Sequence, residues 1–125
     1  MILIIGGAYQ GKLKYATDRY LLSDDDIFYC ENKSRIDFCK KVIYGLDRLI
    51  LNQLKAGIDP AAYVDENIEA MKDKIIICTD IFCGIVPVDA LMRRWRDDTG
   101  RIMIRLANES DSVIRIFLGM EQIIK

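Results

Sequence analysis

The sequence predicts an α/β fold, a mainly parallel sheet with flanking helices and a C-terminal strand pair. Three observations carry this expectation. Two charge-free apolar runs, at residues 2–5 and Ile75–Thr79, have the length and β-branched content of strands covered on both faces. Segments with helical apolar spacing lie between and after them. Strand-like and helix-like segments therefore alternate, which is the order that builds a parallel sheet. A chain of 125 residues, 51% hydrophobic, is long enough to bury a real core and reads as one domain spanning 1–125.

Taken in order, the first strand breaks into Gly6-Gly7, and a helix is expected from about Gly11 to about Tyr20. Ser23-Asp24-Asp25-Asp26 reads as a solvated turn, because adjacent carboxylates rarely converge on one ion. Residues 27–30 predict a second short strand and Asn32-Lys33-Ser34 a polar loop. Apolar positions 43, 46, 50 and 54, with 42 and 49 beside them, predict one amphipathic helix stopping at Gly57. Asp59-Pro60, a capping residue before a proline at the first helical position, starts another helix to about Met71. Its apolar content is thinner (Val64, Ile68, Met71), which places it on the outside. After the strand at Ile75–Thr79, residues 81–88 carry a glycine and a proline and read as a loop. Asp89 can cap a long helix to about Ala107, with Leu91, Trp95, Ile102 and Leu106 on one side. Residues 112–118 and 121–124, separated by Gly119-Met120, predict a closing hairpin.

Composition excludes several classes of function. A net charge of −1 gives no electrostatic footprint for nucleic acid or an anionic membrane. No apolar run approaches the roughly 20 residues of a bilayer span. The first strand has neither a basic region before it nor a small-residue cleavage site after it, so a cytoplasmic protein is expected. Cys30, Cys39, Cys78 and Cys83 form no C-x-x-C pair and read as buried small apolar residues. The chain has no histidine. Histidine metal sites, Ser-His or Cys-His pairs and histidine-linked intermediates are thereby excluded.

The motif with chemistry in it is Gly6-Gly7-Ala8-Tyr9-Gln10-Gly11-Lys12-Leu13, a G-x-x-x-x-G-K core between a strand and a helix. Glycines let backbone N–H groups close around an anion, and Lys12 supplies a point charge for β- and γ-phosphates. The expectation is a P-loop NTPase-like domain with residues 6–13 at the nucleotide. The following position should be Ser or Thr, whose hydroxyl ligates Mg²⁺. Here it is Leu13, and Thr17 lies a helical turn too far on. Mg²⁺ commonly keeps several waters and binds through the phosphates themselves, so the loss should weaken metal binding without abolishing it. Asp80, at the carboxyl end of a strand able to lie beside the first, is the candidate metal ligand and the catalytic partner of Lys12. The alternative is a capping aspartate for the loop that follows.

A longer pattern lies in the C-terminal half. Thr79-Asp80-Ile81-Phe82-Cys83-Gly84-Ile85-Val86-Pro87 is followed by Arg96-Asp97-Asp98-Thr99-Gly100-Arg101, Arg105-Leu106-Ala107, Ser110-Asp111-Ser112-Val113 and Gly119…Ile123-Ile124-Lys125. Behind a G-G-A-x-x-G-K loop, this ordered set resembles the adenosylcobinamide kinase/adenosylcobinamide-phosphate guanylyltransferase family of cobalamin biosynthesis. The resemblance covers about residues 1–16 and 74–125, with little to match between them. It implies phosphorylation of a corrinoid's aminopropanol arm with GTP or ATP and Mg²⁺, then GMP transfer to that phosphate. It also implies nucleotide and adenosylcobinamide as partners, and a homo-oligomer, a trimer by resemblance.

The departures narrow those implications. The family carries GMP on a histidine, which this chain lacks, and the segment bearing it is contracted to roughly residues 23–37. Met103-Ile104 stands where the family tends to have Asn-Gln. Tyr44 falls where the family has an acidic strand end. Three readings stand: a kinase of corrinoid salvage without guanylyltransfer, a catalytically degraded nucleotide- or corrinoid-binding module that regulates a partner, or an interaction protein. Intact Gly6, Gly11 and Lys12 argue against the last.

Overall fold

The computed structural model describes residues 1–81 and 89–125. Its elements run β1 (Ile2–Gly6), α1 (Lys12–Tyr20), β2 (Ile27–Tyr29), β3 (Val42–Tyr44), α2 (Leu46–Lys55), α3 (Pro60–Met71), β4 (Ile75–Thr79), α4 (Ala90–Glu109), β5 (Ser112–Phe117) and β6 (Met120–Ile123). They form the α/β fold read from the sequence. One six-stranded sheet has the order β2-β3-β4-β1-β5-β6. Every pairing is parallel except β5–β6, which closes as the anticipated hairpin.

Alternation along the strands divides the core into two layers. Leu3, Ile43, Ile76, Cys78 and Val113 face one way, onto Leu46, Leu49, Ile50, Tyr63, Val64, Met71, Ile102 and Leu106 of α2, α3 and α4. Ile4, Val42, Ile75, Ile77, Ile114 and Ile116 face the other way, where Ala16 of α1 is buried with them. The sheet is thus covered on both faces, by three helices on one side and one on the other. Among the described residues, α1 is the one α-helix on its face of the sheet.

Local capping agrees with the sequence reading. Asp59 Oδ1 accepts the Ala61 N–H at 3.1 Å, and Asp89 Oδ1 accepts the Leu91 N–H at 2.7 Å. The acidic turn is a short 3₁₀ segment, Asp24–Asp26, in which Asp26 Oδ2 accepts the Ser23 N–H at 2.9 Å. That bond holds the Asp26 carboxyl below its usual range. α3 lies outside the sheet as expected, burying Tyr63, Val64 and Met71. α4 runs one half-turn beyond the expected end, to Glu109.

Three expectations are corrected or set aside. The single helix read over residues 42–54 is a strand and a helix, β3 and α2. Val42 and Ile43 point to opposite faces of the sheet and are buried in different layers, which only an extended chain allows. Gly45, in the left-handed region at φ 86°, makes the break. Of the cysteines, Cys30 and Cys78 are buried, but Cys39 is exposed. Burial pushes the Cys30 thiol up to about 12 and Cys78 well above the usual range, so both act as apolar side chains. The loop expected at 81–88, with Cys83, lies outside the described residues beyond Ile81.

Candidate functional site

The loop of residues 6–11 leaves the carboxyl end of β1 in the middle of the sheet and enters α1 at Lys12. Its shape needs its glycines. Gly6 has φ +154°, and a Cβ there would stand 2.5 Å from the Ile116 carbonyl oxygen on β5. Gly11 caps α1 in the left-handed region without a side-chain bond, which leaves the first-turn N–H groups of the helix for the loop's concavity. Tyr9 is also left-handed, at φ 60°, and its side chain is wholly exposed.

Gln10 ties the loop to the C-terminal hairpin. Its Oε1 accepts the Leu118 N–H at 2.7 Å, and its carbonyl accepts the Gly119 N–H at 2.9 Å. Tyr15 of α1 adds a hydrogen bond from its hydroxyl to Glu121 on β6. Burial together with that bond raises the Tyr15 phenol to about 12. Loop, helix start and hairpin turn therefore form one connected unit.

Lys12 is only 6% exposed, and its Nζ donates to the Gly7 carbonyl at 2.6 Å. Burial lowers its pKa, with Asp47 foremost among the groups that pull it back up and Asp80 also contributing. Leu13 points the other way. It is half-buried against the layer that contains Ile4, Ile114 and Ile116, so it serves as packing for α1. Gly7, Ala8 and Tyr9 lie on the open side of the loop.

Asp80 stands where the strand order puts it. β1 and β4 are neighbours, Gly6 pairs with Thr79, and the Asp80 N–H donates to the Gly6 carbonyl at 2.7 Å. The residue predicted to partner Lys12 thus lies at the base of the loop.

A second carboxylate comes from an element the sequence reading merged into its helix. Asp47 sits in the first turn of α2, 6% exposed, and its Oδ1 accepts the Thr79 N–H at 3.1 Å. Its carbonyl accepts the Trp95 Nε1–H at 2.7 Å, which fixes this turn against α4. Burial raises its carboxyl above the usual aspartate range, against the lowering effect of the Thr79 N–H and Lys12. Its signal in the sequence was Tyr44-Gly45-Leu46-Asp47, a strand end, a glycine break and an acid in the next turn.

Between the loop and α2 lies a cleft of about 440 Å³, lined by Ala8, Tyr9, Tyr29, Cys30, Glu31, Tyr44, Gly45, Asp47, Arg48 and Thr79. It adjoins a hollow of about 320 Å³ over residues 8–14, and the two share Ala8, Tyr9, Tyr44 and Thr79. Tyr29 and Tyr44 meet edge to face at 5.7 Å on its wall. The segment after β2 is pinned to the helices beside it. Asn52 Nδ2 donates to Glu31 O at 2.9 Å and Lys33 O at 2.8 Å, and Gln53 Nε2 to Ser34 O at 2.9 Å. A larger groove, about 550 Å³, runs between the starts of α3 and α4. There Arg94 and Arg101 are paired with Asp98, so the charges largely neutralise one another.

Among the described residues, no group of three or more His, Cys, Asp or Glu side chains could hold a metal ion, and no helix is long and apolar enough to cross a membrane. The donors near Lys12 are carboxylate oxygens, Asp47 and Asp80. Such hard oxygen donors suit Mg²⁺, which needs only one or two protein carboxylates when phosphates and waters complete its shell.

Comparison with known proteins completes the picture. No curated protein matches the chain. The family model for cobinamide kinase / cobinamide phosphate guanyltransferase matches residues 46–124. The match begins in α2, so it takes in Asp47 and Asp80, and it leaves the loop of residues 6–12 outside. It also extends through α2 and α3, where the sequence motifs offered little. With well over half of its length matched, the chain belongs to the cobinamide kinase / cobinamide phosphate guanyltransferase family, a family of cobalamin biosynthesis.

Proposed function

We propose that this chain binds GTP or ATP on residues 6–13 and transfers the terminal phosphoryl group to the alcohol of a corrinoid's side arm. The observation that carries the reading is Lys12, a buried cation in a glycine loop, whose Nζ donates to Gly7 and whose charge is supported by Asp47 of α2 and Asp80 after β4. Lys12 Nζ already donates to the Gly7 carbonyl, and a polyphosphate in the loop would take up its remaining donors and its charge. In this reading the N–H groups of Gly7 through Lys12 cradle the phosphates. Lys12 neutralises charge on the group in transfer, and Asp80 serves the metal or the attacking hydroxyl. Mg²⁺, if held by a carboxylate of this end of the sheet, would neutralise charge on the phosphates.

The cleft's size favours an acceptor that enters by its arm. About 440 Å³ accommodates a nucleotide's phosphates and a short alcohol chain, and leaves the bulk of a corrinoid outside. Tyr29 and Tyr44 offer aromatic edges and faces at its rim. GMP transfer through a histidine has no residue to run on, since the sequence contains none.

A second reading is favoured by Leu13. With a half-buried apolar side chain at the position after Lys12 and no hydroxyl there, the domain would hold nucleotide or corrinoid without turning it over. The remaining expectations, a homo-oligomer and a cytoplasmic location, belong to this proposal as well. The experiment that separates the readings is phosphoryl transfer from γ-labelled GTP or ATP to cobinamide. The kinase reading expects labelled cobinamide phosphate that disappears in Asp80→Asn. Nucleotide binding without any labelled product would leave the binding-module reading in its place.

A further inference from the structure

The loop lacks its metal-ligating hydroxyl, and the strand that ends at Tyr44 carries no acid there, yet a carboxylate has been buried three residues further on. Resting on the nucleotide reading above, we propose that Asp47 supplies the protein carboxylate that holds the divalent cation of a bound nucleotide.

Geometry makes the case. β3 ends beside β4, Tyr44 pairing with Ile77, and β4 ends beside β1, Thr79 pairing with Gly6. The Thr79 N–H bond to Asp47 Oδ1 draws the carboxylate across the end of β4 toward the loop. The Trp95 bond to the Asp47 carbonyl holds the turn from behind. Asp47 thereby lines the cleft with Ala8 and Tyr9 of the loop, whereas Asp80 lines neither that cleft nor the hollow over residues 8–14. A carboxylate fixed at both its backbone and one oxygen is preorganised to present the other oxygen to an ion. As a structural acid Asp47 would answer the charge of buried Lys12 and accept the Thr79 N–H, and the titration below tells that role from metal binding. An asparagine would accept the same Thr79 N–H but could neither answer Lys12 nor hold a cation.

Titration with and without Mg²⁺ reads metal binding apart from phosphate binding. GTP and ATP are titrated into wild type, Asp47→Asn and Asp80→Asn, with Mg²⁺ and with EDTA. In wild type Mg²⁺ is expected to tighten binding. In Asp47→Asn most of that gain should vanish, a loss of about tenfold or more in Mg²⁺-dependent affinity. Affinity in EDTA should hold or improve, because a negative charge facing the phosphates has been removed. Asp80→Asn, whose carboxylate lies outside that cleft, should lose less of the gain than Asp47→Asn, and a larger loss there overturns the proposal. An undiminished Mg²⁺ gain in Asp47→Asn overturns the proposal while leaving nucleotide binding intact, and absence of any nucleotide binding by wild type overturns both. A uniform loss with and without Mg²⁺ would assign Asp47 a structural role and also overturn it. A check that needs no variant uses Mn²⁺ on wild type. The Thr79 amide signal should broaden when Mn²⁺ and nucleotide are both present, and a signal that stays sharp contradicts the assignment.

Discussion

Lys12 is retained at a cost, and that cost is the residue-scale argument for function. Its side chain is buried, donates to the Gly7 carbonyl and sits near Asp47 and Asp80. Burial lowers its pKa, so between that lowered value and the ordinary lysine value the folded chain holds fewer protons than the unfolded one. Stability in this term therefore rises as pH rises through that window. Measured by thermal melts from pH 7 to 10, wild type should gain on Lys12→Met, which has nothing to titrate there. A constant gap between the two would show that Lys12 is not buried in solution. Residues 6–12 and Asp80 were legible in the sequence because glycine, lysine and strand-end acids have strong local signatures. Asp47 was read inside one continuous helix, and its local signal, a glycine break before an acid, gives no hint of the distant Thr79 N–H that fixes it.

At the scale of elements, the loop's form is set by how closely β1 approaches β5. Gly6 is the point of contact, where both a positive φ and the Ile116 carbonyl exclude a side chain. Gly6→Ala should cost about 2 kcal/mol or more in denaturant unfolding, through strain and the forced separation of two central strands. A change near zero would mean that this approach is looser than the structure has it. The same scale explains what could be read in advance. β1, β4, α3, α4 and the hairpin have long periodic runs or strong caps. β3 has only Val42–Tyr44, and its apolar residues also fit the helical spacing of α2. Three residues give too little pattern to tell a period of two from a period of 3.6. The left-handed Gly45 that settles the matter is visible only once the backbone is known.

For the molecule as a whole, the strand order gathers the chemistry. Placing β4 next to β1, and β3 next to β4, sets the loop, Asp80 and Asp47 in a row along one end of the sheet. The tie from Gln10 to Leu118 and Gly119 links that row to the C-terminal hairpin. Membership of the cobinamide kinase / cobinamide phosphate guanyltransferase family gives the setting, while the family match itself starts after the loop. Phosphate binding by residues 6–12 is therefore the claim on which the rest stands. Its most direct measurement is calorimetric titration of GTP and ATP into wild type and Lys12→Met, with the fold of each checked by its melt. The account predicts saturable binding by wild type, weakened about tenfold or more by the loss of a charged hydrogen-bond donor. Equal affinity in the two proteins, or no binding in either, would contradict it.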